Sequence, residues 1–420
     1  MIGSPPRRSA EAIVDTLEPG MTVFLAGMTG ESLVLRDALR ARPEKAADVR
    51  FVGVFFPGIN DGAYVGLHPR ARQRAYFMSP AFRPGFQDER VELLPTDYLG
   101  AWRDLSSLEI DLAVVQASEP DPAGRSSLGI CHDFAPAAWS RAKRRVAHIN
   151  PAMPRTHGAA HVRLDECDAV IEAPADLLTY PAEPASASYA SLAGHIAGLV
   201  RDGDTIQLGI GRMVTGVLDA LRGHRGLRLH AGMATQAVVP LIDGRVIEGR
   251  AAVTLGVALG DRDYYRRAAL DDTFLFAPVD ETHDPRRIAA IDNFVAINAA
   301  LEVDLFGQVN CDTLGRQLVA GVGGMPAFAA GARLSRGGRA VFALLSTAAA
   351  GARSRIVSRL SGGALVGAPR HVADLIVTEH GVADLRGASI PQRAQRLMAI
   401  AAPQHRALLE AQWKTLCASL

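Results

Sequence analysis

Hydrophobic positions along the chain fall into short consecutive runs alternating with helical stripes, and this alternation predicts open α/β sheets over a helical bundle. Leu112-Ala113-Val114-Val115, Ala169-Val170-Ile171 and Leu375-Ile376-Val377 read as buried strands. Two segments repeat one grammar. In the first, Ala12, Ile13 and Leu17 mark a helix, Glu18-Pro19-Gly20 a turn, Met21–Leu25 a strand, and Leu33–Leu39 a second helix after Ala26-Gly27. In the second, Leu192, Ile196, Leu199 and Val200 mark a helix, Arg201–Asp204 a turn, and Thr205–Leu208 a strand. After Gly209-Ile210-Gly211 comes a further helix, whose apolar Val214, Val217, Leu218 and Leu221 keep helical spacing. The echo suggests two related α/β halves.

The stretch Tyr180–Ser188 is rich in proline and small residues that neither pack nor propagate regular structure. It separates an expected α/β domain over 1–182 from a second over 189–420, which carries the glycine loops. A length of 420 residues agrees with two cores.

Composition narrows the classes. The formal charge is +1, with three lysines, Lys45, Lys143 and Lys414, and no basic run, so no nucleic-acid partner is expected. Cys131, Cys167, Cys311 and Cys417 lie far apart, which suits a reducing cytoplasm and no disulfide framework. The histidines show no ligand spacing, so no metal is expected. No apolar run reaches the roughly 18 residues that span a bilayer, and no secretory signal pattern opens the chain. We expect a cytoplasmic protein without a membrane partner.

Three segments could carry chemistry. Gly209-Ile210-Gly211 follows a strand and precedes a helix, so its N–H groups could face an anion or oxyanion, or simply serve a tight turn. Gly321-Val322-Gly323-Gly324-Met325 could let backbone approach a ligand, or pack under a strand. In the polar string Asn298–Asn310, Glu302 and Asp304 alternate with Val303 and Leu305. Such carboxylates could do acid/base work, or satisfy loop backbone.

Several strings taken in order resemble one family from about Ala10 to Leu409. They are Ser127–Phe134 (SLGICHDF), Ile149–Gly158 (INPAMPRTHG), Leu208–Gly211 (LGIG), Glu302–Asn310 (EVDLFGQVN), Gly321–Gly324 (GVGG), Ser354–Val357 (SRIV) and Val377–Gly387 (VTEHGVADLRG). The chain is similar to the acetyl-CoA hydrolase/transferase family, which includes 4-hydroxybutyrate and succinyl-CoA:acetate CoA-transferase-like enzymes. The resemblance implies two similar open α/β domains of the CoA-transferase fold with an active site in the cleft between them. It implies coenzyme A as substrate or product, no tightly bound cofactor, and a small carboxylate or other acceptor. A homo-oligomer, a dimer, is expected.

In that family a glutamate attacks the acyl-CoA carbonyl and then carries CoA as a glutamyl thioester, while glycine-loop N–H groups hold the oxyanions. The matching donors here are Ile210 and Gly324, and Gly209, Gly211, Gly321, Gly323, Met325, Ser346 and Thr347 are expected along the CoA path. The glutamate's stretch reads Leu229-His230-Ala231-Gly232-Met233, which puts Gly232 at the nucleophile's place. His283 stands where the family tends to keep asparagine, Met325 and Ala327 replace polar residues, and Ala349 replaces a lysine. These departures leave three readings. One is acyl or CoA transfer to water or another acceptor without a glutamyl intermediate, with His283 or His230 as base. The others are a lyase or decarboxylase on a carboxylated acyl-CoA, and a non-catalytic CoA-binding protein.

Overall fold

A computed structural model describes residues 5–60 and 63–418. The chain forms two compact units. One comprises the chain up to Ala182 with Gly232–Gln236 and Gly249–Thr282; the other comprises Glu183–Ala231, Ala237–Glu248 and the chain from His283 onward.

The first unit holds a seven-stranded sheet. Its strand order is Val91–Leu93, Arg72–Ala75, Arg50–Val52, Thr22–Leu25, Ile110–Ala117, Ala142–Ile149, Ala169–Glu172, with every pairing parallel. Thr22–Leu25 lies between Arg50–Val52 (Val23 opposite Phe51) and Ile110–Ala117 (Val23 opposite Leu112). Burial on both faces explains why this strand reads as an unbroken apolar run. Phe24, Val52, Val115, Ile149, Leu105 and Trp139 belong to the core on one face. The same unit contains a parallel pair, Val253–Leu259 with Phe274–Phe276.

The second unit repeats the opening. Helix Ala190–Ala197 leads through a turn to Thr205–Gln207, as helix Ala10–Val14 leads to Thr22–Leu25. Both turns reverse at a glycine in the left-handed region, Gly20 at φ 90° and Gly203 at φ 81°, where a side chain would be strained. Thr205–Gln207 pairs in parallel with Arg228–Thr235 on one side and Phe294–Ala299 on the other. The sheet continues through Arg339–Ala343 and Leu375–Thr378 to the antiparallel edge strand Gly381–Asp384. Arg228–Thr235 begins in this unit, and its residues from Gly232 belong to the other.

Helix Arg212–Ala220 follows the expected spacing, burying Val214, Val217 and Leu218, each burial contributing roughly 1.5–3 kcal/mol. The segment between Glu172 and Ala187 is irregular, as its prolines dictate. Among the described residues no helix is long and apolar enough to cross a membrane.

Candidate active site

In the second unit the strand order doubles back between Thr205–Gln207 and Phe294–Ala299. Parallel α/β sheets bind ligands outside the carboxyl ends of strands at such a point. Gly209-Ile210-Gly211 lies there, with Ile210 half-buried and Gly211 at φ 102° directly before helix Arg212–Ala220. Among the described residues no side-chain hydrogen bond caps that helix, so its first N–H groups are not met by a capping side chain.

The other glycine loop, Gly321–Gly324, runs half-buried into helix Met325–Leu334, with Gly324 at the cap and Met325 buried. Here the structure gathers several expected residues. The His283 imidazole lies 4.6 Å, centroid to centroid, from the Phe328 ring, and His230 lies 6.5 Å from the same ring. A methyl group on Gly324 would stand 2.5 Å from His283 Nε2. Burial first, and then the His230 charge, push the His283 imidazole down to about 3. It is neutral at physiological pH and has little hold on a proton.

Ser346 is fully buried, its N–H and hydroxyl donating to the Glu379 carboxylate at 2.7 and 2.6 Å. Thr347 starts the two-residue strand Thr347–Ala348, opposite Ser354. Ala349 follows in an exposed turn at φ 50°.

Glu302 and Asp304 do not form a free acid/base pair. Glu302 accepts from the Ser361 N–H and hydroxyl at 2.9 and 2.6 Å. Asp304 accepts from the N–H groups of Phe306 and Gln308 at 3.0 and 2.9 Å and from Gln308 Nε2 at 2.7 Å. Both carboxylates hold loops in place, the backbone-satisfying role that acidic residues beside turns often take.

The first unit holds a second gathering of polar groups. The turn after Thr22–Leu25 is tied down by Glu31, which accepts from Tyr64 O–H at 2.7 Å and Asn60 Nδ2 at 2.8 Å. Burial nevertheless raises the Glu31 pKa. The loop Ile130–Asp133 lies along Val253–Leu259: the His132 N–H donates to the Gly256 carbonyl, and the Ala258 N–H to the Ile130 carbonyl, both at 2.9 Å. A Cβ on Gly256 would stand 2.9 Å from the Gly232 carbonyl oxygen and 3.8 Å from Asp133 Oδ1. Gly232 is thus buried in the neighbourhood of a carboxyl group.

Residues 6–179 match the acetyl-CoA hydrolase/transferase N-terminal domain and residues 260–413 the C-terminal domain. The chain is 31% identical over 417 residues to 4-hydroxybutyrate coenzyme A transferase of Clostridium kluyveri, covering 97% of this chain and 96% of that protein. The chain belongs to the acetyl-CoA hydrolase/transferase family. The fold agrees throughout. RipA from Yersinia pestis superposes with a TM-score of 0.89 at 29% identity, over 98% of this chain and 97% of that one. 4-Hydroxybutyrate CoA-transferase from Porphyromonas gingivalis superposes with a TM-score of 0.80 at 29% identity, over the same shares, 98% and 97%.

No sequence motif assigns chemistry to Cys131, His132 or Asp133. The available signal is the pair His132-Asp133 set between apolar Ile130-Cys131 and Phe134. All three are buried, and burial pushes the Asp133 carboxyl up to about 8 and the Cys131 thiol well up. His132 is pushed down to about 3, first by burial and then by His161.

His132 and His283 both titrate lower in the folded chain than in the unfolded one, so the unfolded state binds more protons below about pH 6.5 and stability is lost as the pH drops through that value. Each histidine should cost about 2 kcal/mol at pH 5. His283→Asn should therefore gain about 2 kcal/mol relative to the parent between pH 7.5 and pH 5. Urea midpoints of the two proteins at both pH values check this; an unchanged difference would show that His283 is protonated in the folded state.

Proposed function

We propose that this chain acts on acyl-CoA thioesters and passes the acyl group or CoA to water or another acceptor directly, without a glutamyl-CoA intermediate. The observation that carries this reading is Gly232 in the string His230-Ala231-Gly232-Met233, at the place where the family resemblance calls for a nucleophilic glutamate. Glycine offers no atom to form an anhydride or a thioester. Family membership supports coenzyme A as substrate or product.

The backbone N–H groups of Ile210 and Gly324 are assigned to the developing oxyanion. Each such donor typically contributes about 10²–10³ in rate. His283, neutral and buried beside Gly324, supports the loop and can share a hydrogen bond, but it is a weak base at pH 7. His230 is the more accessible of the two histidines.

Purified protein incubated with acetyl-, butyryl- and succinyl-CoA, with and without acetate, tests the reading. Free thiol or a new acyl-CoA should appear, intact-protein mass should show no CoA adduct, and borohydride should convert no carboxylate of the protein to an alcohol. The reading is overturned by a CoA adduct on the parent protein. It is equally overturned if the parent forms neither free thiol nor a new acyl-CoA across the panel while Gly232→Glu transfers CoA.

A further inference from the structure

We propose that Asp133 is the catalytic general base of this chain, delivering a water molecule to the thioester carbonyl beside Gly232. The inference rests on the direct-acceptor reading above and names the group that reading lacks.

Geometry supports it first. Oδ1 of Asp133 and the carbonyl oxygen of Gly232 both face the point where a Gly256 side chain would begin, at 3.8 and 2.9 Å. A Cβ at Gly256 would press on the Gly232 carbonyl at less than ordinary contact distance, so this approach of backbone, backbone and carboxyl requires glycine at 256. The loop is held by the His132 N–H on the Gly256 carbonyl at 2.9 Å and by the Val279 N–H on the Asp133 carbonyl at 3.1 Å. Asp133 itself sits at φ 29°, an uncommon conformation for a non-glycine residue and a costly one.

The state of the carboxyl is the second support. Asp133 is 5% exposed, and no hydrogen bond or ion pair to its side chain occurs among the described residues. Every other acidic group described above has partners: Glu31, Glu302, Asp304 and Glu379 all accept hydrogen bonds. A carboxyl in so apolar a setting is costly to ionise, which gives the carboxylate a strong pull on a proton. The titratable groups facing it are the Tyr98 phenol on helix Tyr98–Ser107 and the Cys131 thiol on its own loop, both raised by burial and neutral. On helix Val279–Thr282, Asp280 is exposed. Burial alone pushes the carboxyl up to about 8. A base matched to ambient pH combines availability with driving force.

The Asp133 carboxylate takes a proton from water as the water oxygen bonds to the thioester carbon. The tetrahedral oxyanion collapses, the C–S bond breaks, and the proton passes to the leaving sulfur. Acyl-CoA and water become a carboxylic acid and free CoA thiol.

The test is steady-state hydrolysis of butyryl- and succinyl-CoA by Asp133→Asn, an isosteric change. We expect kcat to fall roughly 10²–10⁴-fold with KM little changed, and the parent's rise in kcat through about pH 8 to disappear. The folded parent binds an extra proton between about pH 4 and pH 8, so its stability declines across that window. The Asn variant should not share this decline, and its higher melting temperature at pH 8 will show that it is folded. Should the Asn variant fail to fold, formate rescue of Asp133→Ala serves in its place. Unchanged kcat and pH profile in a folded variant, or absence of formate rescue, overturn the role of Asp133 while leaving the direct-acceptor reading intact. A single turnover in ¹⁸O-water that labels Asp133 instead of the product acid also overturns it, by making the residue a nucleophile. A parent protein that carries CoA covalently, or releases none, overturns the direct-acceptor reading and the inference with it.

Discussion

Asp204→Ala is expected to destabilise the second unit by about 3–5 kcal/mol, the range for breaking a buried ion pair by removing one partner. The side chains of Asp204 and Arg339 are 2% and 6% exposed. They form an ion pair at the amino ends of Thr205–Gln207 and Arg339–Ala343. Arg339 also donates to the Leu199 carbonyl through Nε at 3.1 Å and to the Gly337 carbonyl at 3.1 Å, while Asp204 Oδ2 accepts from the Arg201 N–H at 2.8 Å. Alanine would leave a guanidinium in the interior without its counter-charge and the Arg201 N–H without its acceptor. A domain stable by about 5–15 kcal/mol would lose a large fraction of that margin. Urea unfolding followed by circular dichroism reads the loss directly. The double change Asp204→Leu with Arg339→Met should recover much of it, since removing both charges also removes the desolvation cost. If both variants lose the same amount, packing volume, not charge, governs the site.

The fold was legible because its signals are local. Val214, Val217 and Leu218 announce a helix face by spacing alone, and the turns at Gly20 and Gly203 stand before strands whose apolar runs need no distant partner to be recognised. The site was legible only in part. His230 and His283 are far apart in sequence, and only tertiary packing sets both against Phe328. Asp133 is harder still: its neighbours are the backbones of Gly256 and Gly232, which advertise nothing in a sequence. Glu302 and Asp304 drew attention by alternation, yet the nearest hydrogen-bond donors, Ser361 and the Phe306–Gln308 turn, already occupy them. Spacing shows which way a side chain points along a strand; it does not show what is already there to meet it.

Gly324→Ala is expected to lower kcat for thioester turnover by about 10²–10³ with a much smaller effect on KM, the size associated with losing one oxyanion donor. The new Cβ would stand 2.5 and 2.6 Å from Nε2 and Cδ2 of His283 and 3.0 Å from Cε2 of Phe328. The nearer contacts are far shorter than carbon and nitrogen tolerate, so something must move. His283 is 1% exposed and Phe328 2%, and neither can swing into solvent. The loop therefore yields, carrying the Gly324 N–H away from its position at the cap of helix Met325–Leu334. A shift of about 1 Å is enough to lose about 10²-fold in a positioned site. Strain of about 1–3 kcal/mol should accompany it, a cost the chain can bear while remaining folded. Pairing the substitution with His283→Ala separates the two effects. Removing the imidazole relieves the clash, so the double variant should regain stability and part of kcat, whereas a site in which residue 324 has no part in the chemistry would show wild-type turnover in the folded single variant.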